Sequence, residues 1–395
     1  MDDPPAAQQG SWRSVLGVAL QLGLSSFGGP IAHLGYFHRE YVERRRWLDE
    51  RDFADLVALC QTLPGPASSQ LGIAIGRLRA GVAGALAAWV GFTLPSAVIM
   101  VGFALLAGST DLTDAGWVAG LKLAAVAVVA HAVLRMSATL APKLAHRLLA
   151  LVYAGVLLIL EGPIIQVGVL AAAALLGYAW TRGGRRGGPT ARLEGRKSGV
   201  AALAVFGGLL VALPLLRAVD GQVVALVDTF YRAGSLVFGG GHVVLPLLDA
   251  GVVGPGWVGE DQFLAGYGLA QAIPGPLLTF SAYLGAVAAP EPNGVLGAGL
   301  ALAAIFLPSF LLVFGVLPFW EPLRGSPRVR GSLDAVNVAV IGLLLAALYD
   351  PVTTAAVDSP LDAAVALGGL ALLSLRLPPL AVVAAAAAGG QLTGA

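Results

Sequence analysis

Two Pro-Gly-Pro triplets interrupt apolar segments in which a membrane helix would otherwise continue. Proline costs no hydrogen bond in the first turn of a helix, and glycine lets the chain bend and approach a ligand closely. The N–H groups at a helix start can bind an anion without a buried cation. We therefore expect the second proline of each triplet in the first turn of a new helix, beside a bound anion. The residues are Pro64, Gly65 and Pro66 in "CQTLPGPASSQ" (60–70), and Pro274, Gly275 and Pro276 in "AQAIPGPLLTF" (270–280).

Side chains that donate hydrogen bonds flank both triplets. A single Pro-Gly break in a membrane helix usually serves kinking or close helix packing. Two matched breaks, each followed by hydroxyl or amide groups, favour a binding role. The candidates are Gln61, Ser68, Ser69 and Gln70 around the first triplet, and Gln271, Thr279 and Ser281 around the second.

A glycine-rich motif precedes each triplet and is itself followed by a histidine. Either histidine could donate to an anion, carry a coupled proton or make a structural hydrogen bond, and these alternatives stay open. The first motif is Ser26, Phe27, Gly28, Gly29 and Pro30, followed by His33. The second is Phe238, Gly239, Gly240 and Gly241, followed by His242.

Few ionisable residues lie in the apolar segments, where an unpaired charge is costly. Lys122, roughly aligned with Asn337 of the second half, either neutralises a dianion or extends to the membrane interface. Asp228 and Arg232 lie one helical turn apart and are expected to form an ion pair. The Leu-Pro-Ser triplets at 94–96 and 307–309 are interpreted as helix kinks, with a role as site elements as the less favoured alternative.

The composition places the chain in a membrane. Of its 395 residues 57% are hydrophobic and 12% are charged, against roughly 25% charged in soluble domains. The formal net charge of +1 predicts no nucleic-acid partner, and the one cysteine excludes an intramolecular disulfide. The five histidines lack metal-ligand spacing, so no metal or other cofactor is expected. The N-terminus "MDDPPAAQQGSWR" does not resemble a cleaved signal peptide.

Apolar runs predict an all-α polytopic membrane protein of about 13 hydrophobic segments, of which about nine span a bilayer, although those at 147–160 and after 359 are shorter than the roughly 20 residues that crossing usually takes. The nine predicted spans are 80–108, 115–138, 147–160, 163–180, 199–217, 294–317, 332–349, 359–375 and 378–394. Four other segments are broken by glycine or proline, and their halves are too short to span. These are 12–42, 53–75, 223–250 and 263–288.

The two halves of the chain repeat the same motifs in the same order, at an offset of about 210 to 213 residues. The sequence therefore predicts a first repeat at 1–180, a linker at 181–198, a joining helix at 199–222 and a second repeat at 223–395. Discontinuous helices in inverted repeats are typical of secondary transporters, in which the broken segments surround a site near the midplane.

Loop charges predict that the repeats are inverted. The loop "HREYVERRRWLDERD" is rich in arginine, whereas the matching loop "DAGVVGPGWVGEDQ" has no Lys or Arg. Positively charged loops face the cytoplasm, so equivalent loops face opposite sides. Arg77 and Arg79 follow the first triplet and should be cytoplasmic too, which makes 53–75 a re-entrant hairpin rather than a span.

With these motifs in view, the chain resembles the chromate transporter family of bacterial ion transporters, in its two-domain form. The resemblance rests on "SFGGPIAHLGYFHREYVERRRWL" (26–48), "LCQTLPGPASSQLGIAIGRLRAGVAGALAAWVGFTLPS" (59–96), "VFGGGHVVLPLL" (237–248) and "GLAQAIPGPLLTFSAYLG" (268–285). It implies site elements at 27–30, 64–66, 238–242 and 274–276.

The resemblance also implies export of chromate, or of a sulfate-like oxyanion, across the bacterial inner membrane. Coupling would be to protons or to exchange with sulfate, and a homodimer is a further expectation. The alternatives are a carrier or channel for another small anion, or an intramembrane enzyme. No G-x-S-x-G or H-E-x-x-H motif occurs, which argues against an enzyme.

Overall fold

The computed structural model describes residues 10–109, 116–160, 163–181, 196–217, 221–237, 243–320, 326–354 and 356–393. These residues form sixteen α-helices and include no β-strand. The helices are α1 Trp12–Ser25, α2 Gly29–His38, α3 Glu50–Thr62, α4 Ala67–Ser109, α5 Gly116–Leu140, α6 Leu144–Ile159, α7 Pro163–Trp180, α8 Arg196–Arg217, α9 Gly221–Leu236, α10 Val244–Leu248, α11 Glu260–Ala272, α12 Phe280–Val287, α13 Gly294–Val316, α14 Pro327–Ala347, α15 Pro360–Ser374 and α16 Pro379–Thr393.

The predicted all-α membrane architecture is confirmed. Within the described residues, five helical stretches are long and apolar enough to cross a membrane: Ala67–Leu106, Gly116–Leu140, Arg196–Arg217, Gly294–Phe319 and Pro327–Asp350. The other four predicted spans correspond to shorter apolar helices, α6, α7, α15 and α16. Large apolar side chains such as Leu86, Val98 and Leu151 are exposed, as lipid-facing positions are.

The first triplet forms the tip of a hairpin. Helix α3 ends at Thr62, residues 63–66 are non-helical, and α4 begins at Ala67. Helix α4 then breaks at Ala80 and Gly81, where φ of Gly81 is 61°. A Cβ on Gly76 would lie 2.3 Å from the carbonyl oxygen of Gly84, so the chain turns back sharply at this break.

Both ends of this hairpin lie together. The guanidinium of Arg79, at the end of the first part of α4, lies 4.8 Å from the ring of Trp47, which shortly precedes α3. The segment therefore starts and ends on one face of the molecule, as the hairpin prediction requires. The membrane side that this face occupies remains a prediction.

The second triplet is built in the same way. Helix α11 ends at Ala272, a 3₁₀ turn spans Leu277–Thr279, and α12 follows. The chain breaks before Gly294, where φ is 55°, and a Cβ on Gly285 would lie 2.3 Å from the carbonyl oxygen of Gly297. The Ala289 N–H donates to Trp257 O at 2.8 Å, which closes this hairpin as Arg79 and Trp47 close the first.

Both prolines that follow the tip glycines stand one position before the predicted first turn. Pro66 directly precedes α4, and Pro276 is the extended residue that precedes the 3₁₀ turn, with ψ 133°. The energetic reason for the prediction still applies, because neither position needs an N–H donor.

The first glycine-rich motif lies at a break between helices. Helix α1 ends at Ser25 and α2 begins at Gly29, so the predicted break in 12–42 is confirmed. In the second half α9 ends at Leu236 and α10 begins at Val244. The predicted site residues 238–242 lie outside the described residues, as does most of the linker, at 182–195.

Candidate functional site

Each hairpin tip is bound by the opposite repeat. The Gly65 N–H donates to the Val237 carbonyl oxygen at 2.6 Å, and the Gly275 N–H donates to the Ser26 carbonyl oxygen at 3.0 Å. Ser26 begins the first glycine-rich motif, and Val237 directly precedes the second in sequence. Each tip therefore contacts the opposite half, and we call the crossed structure around Gly65, Val237, Gly275 and Ser26 the tip cluster.

Only glycine fits at the two tips. Gly65 has φ 122° and Gly275 has φ 98°, a left-handed region that other residues avoid. A Cβ on Gly65 would lie 2.8 Å from Ser309 Oγ, and a Cβ on Gly275 would lie 2.7 Å from Ser96 Oγ. Either contact is too short for a side chain, so the backbone of each tip directly faces a serine of the other repeat.

These two serines belong to the Leu-Pro-Ser triplets, which sequence analysis interprets as kinks. Both are fully buried, and Ser96 Oγ donates to the Thr93 carbonyl oxygen at 3.0 Å. The structure thus adds Ser96 and Ser309 to the candidate site. Both end the segments 79–96 and 292–309, which match between the two halves, and this repeated position is the pattern that could have identified them.

His33 makes a structural hydrogen bond. Its Nε2 lies 3.2 Å from the Ser26 carbonyl oxygen and its Nδ1 lies 3.2 Å from Ser68 Oγ. A carbonyl can only accept, so Nε2 carries the hydrogen, and in the neutral ring the Ser68 hydroxyl donates to Nδ1. The buried imidazole therefore joins the first glycine-rich motif to the start of α4.

Several polar side chains make hydrogen bonds within the tips. The Gln70 Nε2 donates to the Pro64 carbonyl oxygen at 2.5 Å, and the Thr279 hydroxyl donates to the Pro276 carbonyl oxygen at 2.8 Å. The Ser281 hydroxyl donates to Leu278 O at 2.8 Å. These bonds fix the tip backbones in their turns.

A second group of polar atoms in the tip cluster is buried and has no hydrogen-bond partner. Leaving such an atom unpaired costs about 1–3 kcal/mol, so a ligand or water is expected to satisfy it. Most of the group are hydroxyls, which can donate to an anion. The atoms are Ser26 Oγ, Ser69 Oγ, Ser309 Oγ, Thr93 Oγ1 and Gln70 Oε1.

Charged candidates lie away from the tips. The Lys122 Nζ donates to Asp261 Oδ1 at 2.8 Å, next to the start of α11, so the lysine has a carboxylate partner. The predicted pair of Asp228 and Arg232 is confirmed, and Arg217 also approaches this aspartate. None of the residues placed above in the tip cluster is Lys, Arg, Asp or Glu.

The remaining candidates occupy varied positions. Gln61 is exposed on α3, and Asn337 is half-buried on α14. Gln271 is half-buried and hydrogen-bonds to Tyr267. In the first glycine-rich motif Phe27 is half-buried, and Gly28 and Gly29 have φ of 94° and 77°. Pro30 is in the first turn of α2.

The amino-acid sequence of the chain matches a known protein family. A family model described as Chromate transporter matches residues 13–178 and again residues 224–391. The chain is 30% identical over 360 residues to the chromate transport protein of Cupriavidus metallidurans, covering 90% of this chain and 86% of that protein.

Two further relatives show the same likeness. The probable chromate transport protein of Synechococcus elongatus is 30% identical over 388 residues, covering 94% of this chain and 93% of that protein. The chromate transport protein of Pseudomonas aeruginosa is 28% identical over 349 residues, covering 84% of this chain and 79% of that protein. No solved structure matches the chain.

Proposed function

This chain belongs to the chromate transporter family, and we propose that it exports chromate or a related tetrahedral oxyanion across the bacterial inner membrane. The family consists of membrane transporters rather than enzymes. The single observation that supports oxyanion binding most strongly is the tip cluster. It combines two helix starts with buried hydroxyls that lack a partner.

The donors of the tip cluster suit an oxyanion. Chromate and sulfate are tetrahedral dianions whose four oxygens accept hydrogen bonds. At the start of α4 the N–H groups of Ala67, Ser68 and Ser69 have no acceptor within the helix. A helix start carries roughly half a positive charge, which attracts an anion without a lysine or arginine.

Neutral donors also suit a transporter that must release its cargo. A dianion fixed by two buried arginines would bind tightly and leave slowly, because charge-assisted hydrogen bonds are roughly twice as strong as neutral ones. Hydroxyl and backbone donors give weaker, geometrically specific binding. The oxyanion can therefore leave when the two repeats move relative to each other.

Two coupling schemes fit this site, proton antiport and exchange with sulfate. Chromate and sulfate share shape and charge, so one set of hydroxyl donors can bind both. In proton antiport, a pH gradient alone drives chromate toward the acidic side. In sulfate exchange, chromate moves only when sulfate is present on the opposite side.

Counterflow in reconstituted vesicles tests the proposal. Vesicles loaded with unlabelled chromate should transiently accumulate labelled chromate more than about tenfold above vesicles that carry the Gly65→Val variant. Counterflow distinguishes a carrier from a channel, because a channel does not exchange labelled for unlabelled ions against a gradient. Repeating the assay with sulfate, and with a pH difference, separates the coupling schemes. Absence of chromate and sulfate flux under every imposed gradient would contradict the proposal.

A further inference from the structure

A second polar region lies apart from the tip cluster. A cavity of about 630 Å³ opens between α6, α7, α9 and α14, on the face that the loop charges predict to be outside. Its walls are largely apolar, but six polar side chains line it. They are Gln166, Arg217, Thr229, Arg232, Asp249 and Asp350.

Both arginines are held in place by one buried carboxylate. The Asp228 side chain is fully buried, and its Oδ2 accepts a hydrogen bond from Arg232 and lies 3.6 Å from Arg217 Nη1. The Arg217 guanidinium also lies 5.7 Å from the ring of Trp257. One cavity wall therefore carries two fixed positive charges against one negative charge.

One carboxylate oxygen of Asp249 has no hydrogen-bond partner. Asp249 follows α10 directly, outside the five spanning stretches, and its Oδ1 is buried without a hydrogen-bond donor. Burial raises the pKa of Asp249, and the nearby carboxylates of Glu260 and Asp350 raise it further. All three effects favour the protonated carboxyl group.

The unpartnered atoms at the cavity differ in kind from those at the tips. At the cavity they are acceptors, namely Asp249 Oδ1 and Gln166 Oε1, with Asp228 Oδ1 behind the arginines. At the tips they are mostly hydroxyls. A buried acceptor without a donor can bind a proton or a metal cation, and within the described residues no group of three His, Cys, Asp or Glu could hold a metal ion. A proton binds a single carboxylate covalently and removes its negative charge, so it needs no further ligand.

The first repeat has no equivalent carboxylate. At the offset of the repeat, Asp249 corresponds to Arg39 in the arginine-rich loop predicted to be cytoplasmic. The carboxylate at this position is therefore particular to the second repeat.

We propose that Asp249 binds the proton that this transporter takes up from outside in exchange for the exported oxyanion. The inference rests on the proposed function and names the coupling residue within it. Uptake of a proton neutralises Asp249, so that the positive charges of Arg217 and Arg232 are balanced by the negative charges of Asp228 and Asp350 alone. Asp228 accompanies the arginines from α9, Glu260 faces Asp249 from α11, and Asp350 faces it from the turn after α14.

The test compares Asp249→Asn with the wild type in vesicles that carry both a pH-sensitive dye and labelled chromate. Asparagine keeps the size of the side chain but cannot take up a proton. We expect the wild type to move chromate toward the acidic side with an opposite proton flux, at least tenfold faster than without a pH difference. In Asp249→Asn the acceleration and the proton flux should both disappear, while chromate counterflow continues at a rate independent of pH.

Two control variants complete the design. Asp249→Glu restores a titratable carboxyl group and should restore the acceleration at least in part. Asp358→Asn makes the same change at an exposed aspartate that does not line the cavity, and should behave as the wild type.

Three results would overturn the inference. The first is an acceleration by the pH gradient that survives in Asp249→Asn. The second is a wild type that exchanges oxyanions without any response to pH. The third is that Asp249→Asn loses a sodium-driven flux rather than a proton-driven one. In each of these results counterflow persists, so the proposed oxyanion transport stands. Loss of all oxyanion flux in the wild type would instead contradict the proposed function itself.

Discussion

The two hairpin tips share a backbone but differ in what their side chains leave free. Gly65 and Gly275 both have positive φ, both donate to the opposite repeat and both face a buried serine. Around the second tip, however, the Thr279 and Ser281 hydroxyls are bonded to carbonyls of their own turn. Around the first tip, Ser69 Oγ and Gln70 Oε1 have no partner. The duplicated backbone thus builds the frame, and among the side chains that follow each triplet only those of the first tip keep a hydroxyl without a partner.

The largest effect is expected from a side chain at either tip glycine. Gly65→Val or Gly275→Val would force a left-handed φ on a β-branched residue and place it against a serine hydroxyl. We expect chromate transport to fall at least about 100-fold in both variants, since the shared backbone is affected. The measurement is counterflow normalised to the amount of folded protein in the membrane.

A matched control for this pair is Gly102→Ala, because nothing lies within 4 Å of a Cβ at that position. It should transport as the wild type does. Transport retained by either valine variant would show that close backbone approach at that tip is unnecessary.

Removing hydroxyls should have different effects at the two tips. Ser69→Ala and Ser309→Ala remove unpartnered hydroxyls beside the first tip, and a hydrogen bond to a charged group is worth about 1.5–3 kcal/mol. We expect the apparent affinity for chromate to fall about tenfold or more in each. Thr279→Ala and Ser281→Ala remove hydroxyls that are already bonded, so the fall should stay below about threefold. The measurement is the KM for chromate from initial efflux rates. Equal effects at both tips would contradict the proposed difference between their hydroxyls.

His33 should have an intermediate effect because it acts through the residues that it connects. In His33→Ala, the Ser26 carbonyl and the Ser68 hydroxyl both lose a partner. We expect the transport rate to fall about five- to twentyfold, with partial recovery in His33→Gln, whose amide can still donate. An alanine variant with unchanged rate would indicate that the imidazole does not position the first tip.

The smallest effect is expected at Lys122. Its amine is bonded to Asp261, whose side chain is half exposed, and such pairs contribute roughly 0–1 kcal/mol. Lys122→Ala should therefore change chromate KM less than about twofold, as should Asp261→Ala. A tenfold rise confined to Lys122→Ala would support the alternative that this lysine neutralises the anion.

Much of the fold follows from the sequence because its causes are local. The lengths of apolar runs predict the spans, and the repeated Phe-Gly-Gly and Pro-Gly-Pro motifs predict the breaks at Ser25 to Gly29 and at 63–66. The positive φ of Gly65 and Gly275 could likewise be predicted, because glycine adopts this conformation readily and other residues avoid it.

The rest depends on contacts between distant residues. The crossed bonds from Gly65 to Val237 and from Gly275 to Ser26 join opposite repeats, and no local pattern specifies that pairing. Ser309 follows a proline within a helix, and such a residue looks the same whether it marks a kink or faces a ligand. The partner of Lys122 lies 139 residues away in sequence. The inverted orientation of the repeats stays a prediction.

The central claim is that an oxyanion binds where the first tip meets Ser309 of the second repeat. Equilibrium binding of labelled chromate to purified Ser309→Ala tests it most directly, with Ser332→Ala as the control. Ser332 is a serine elsewhere in the second repeat whose hydroxyl donates to Ala174 O at 2.8 Å. We predict that the dissociation constant for chromate rises about tenfold in Ser309→Ala and less than about twofold in Ser332→Ala. An unchanged dissociation constant in Ser309→Ala, with the protein folded, would contradict the account.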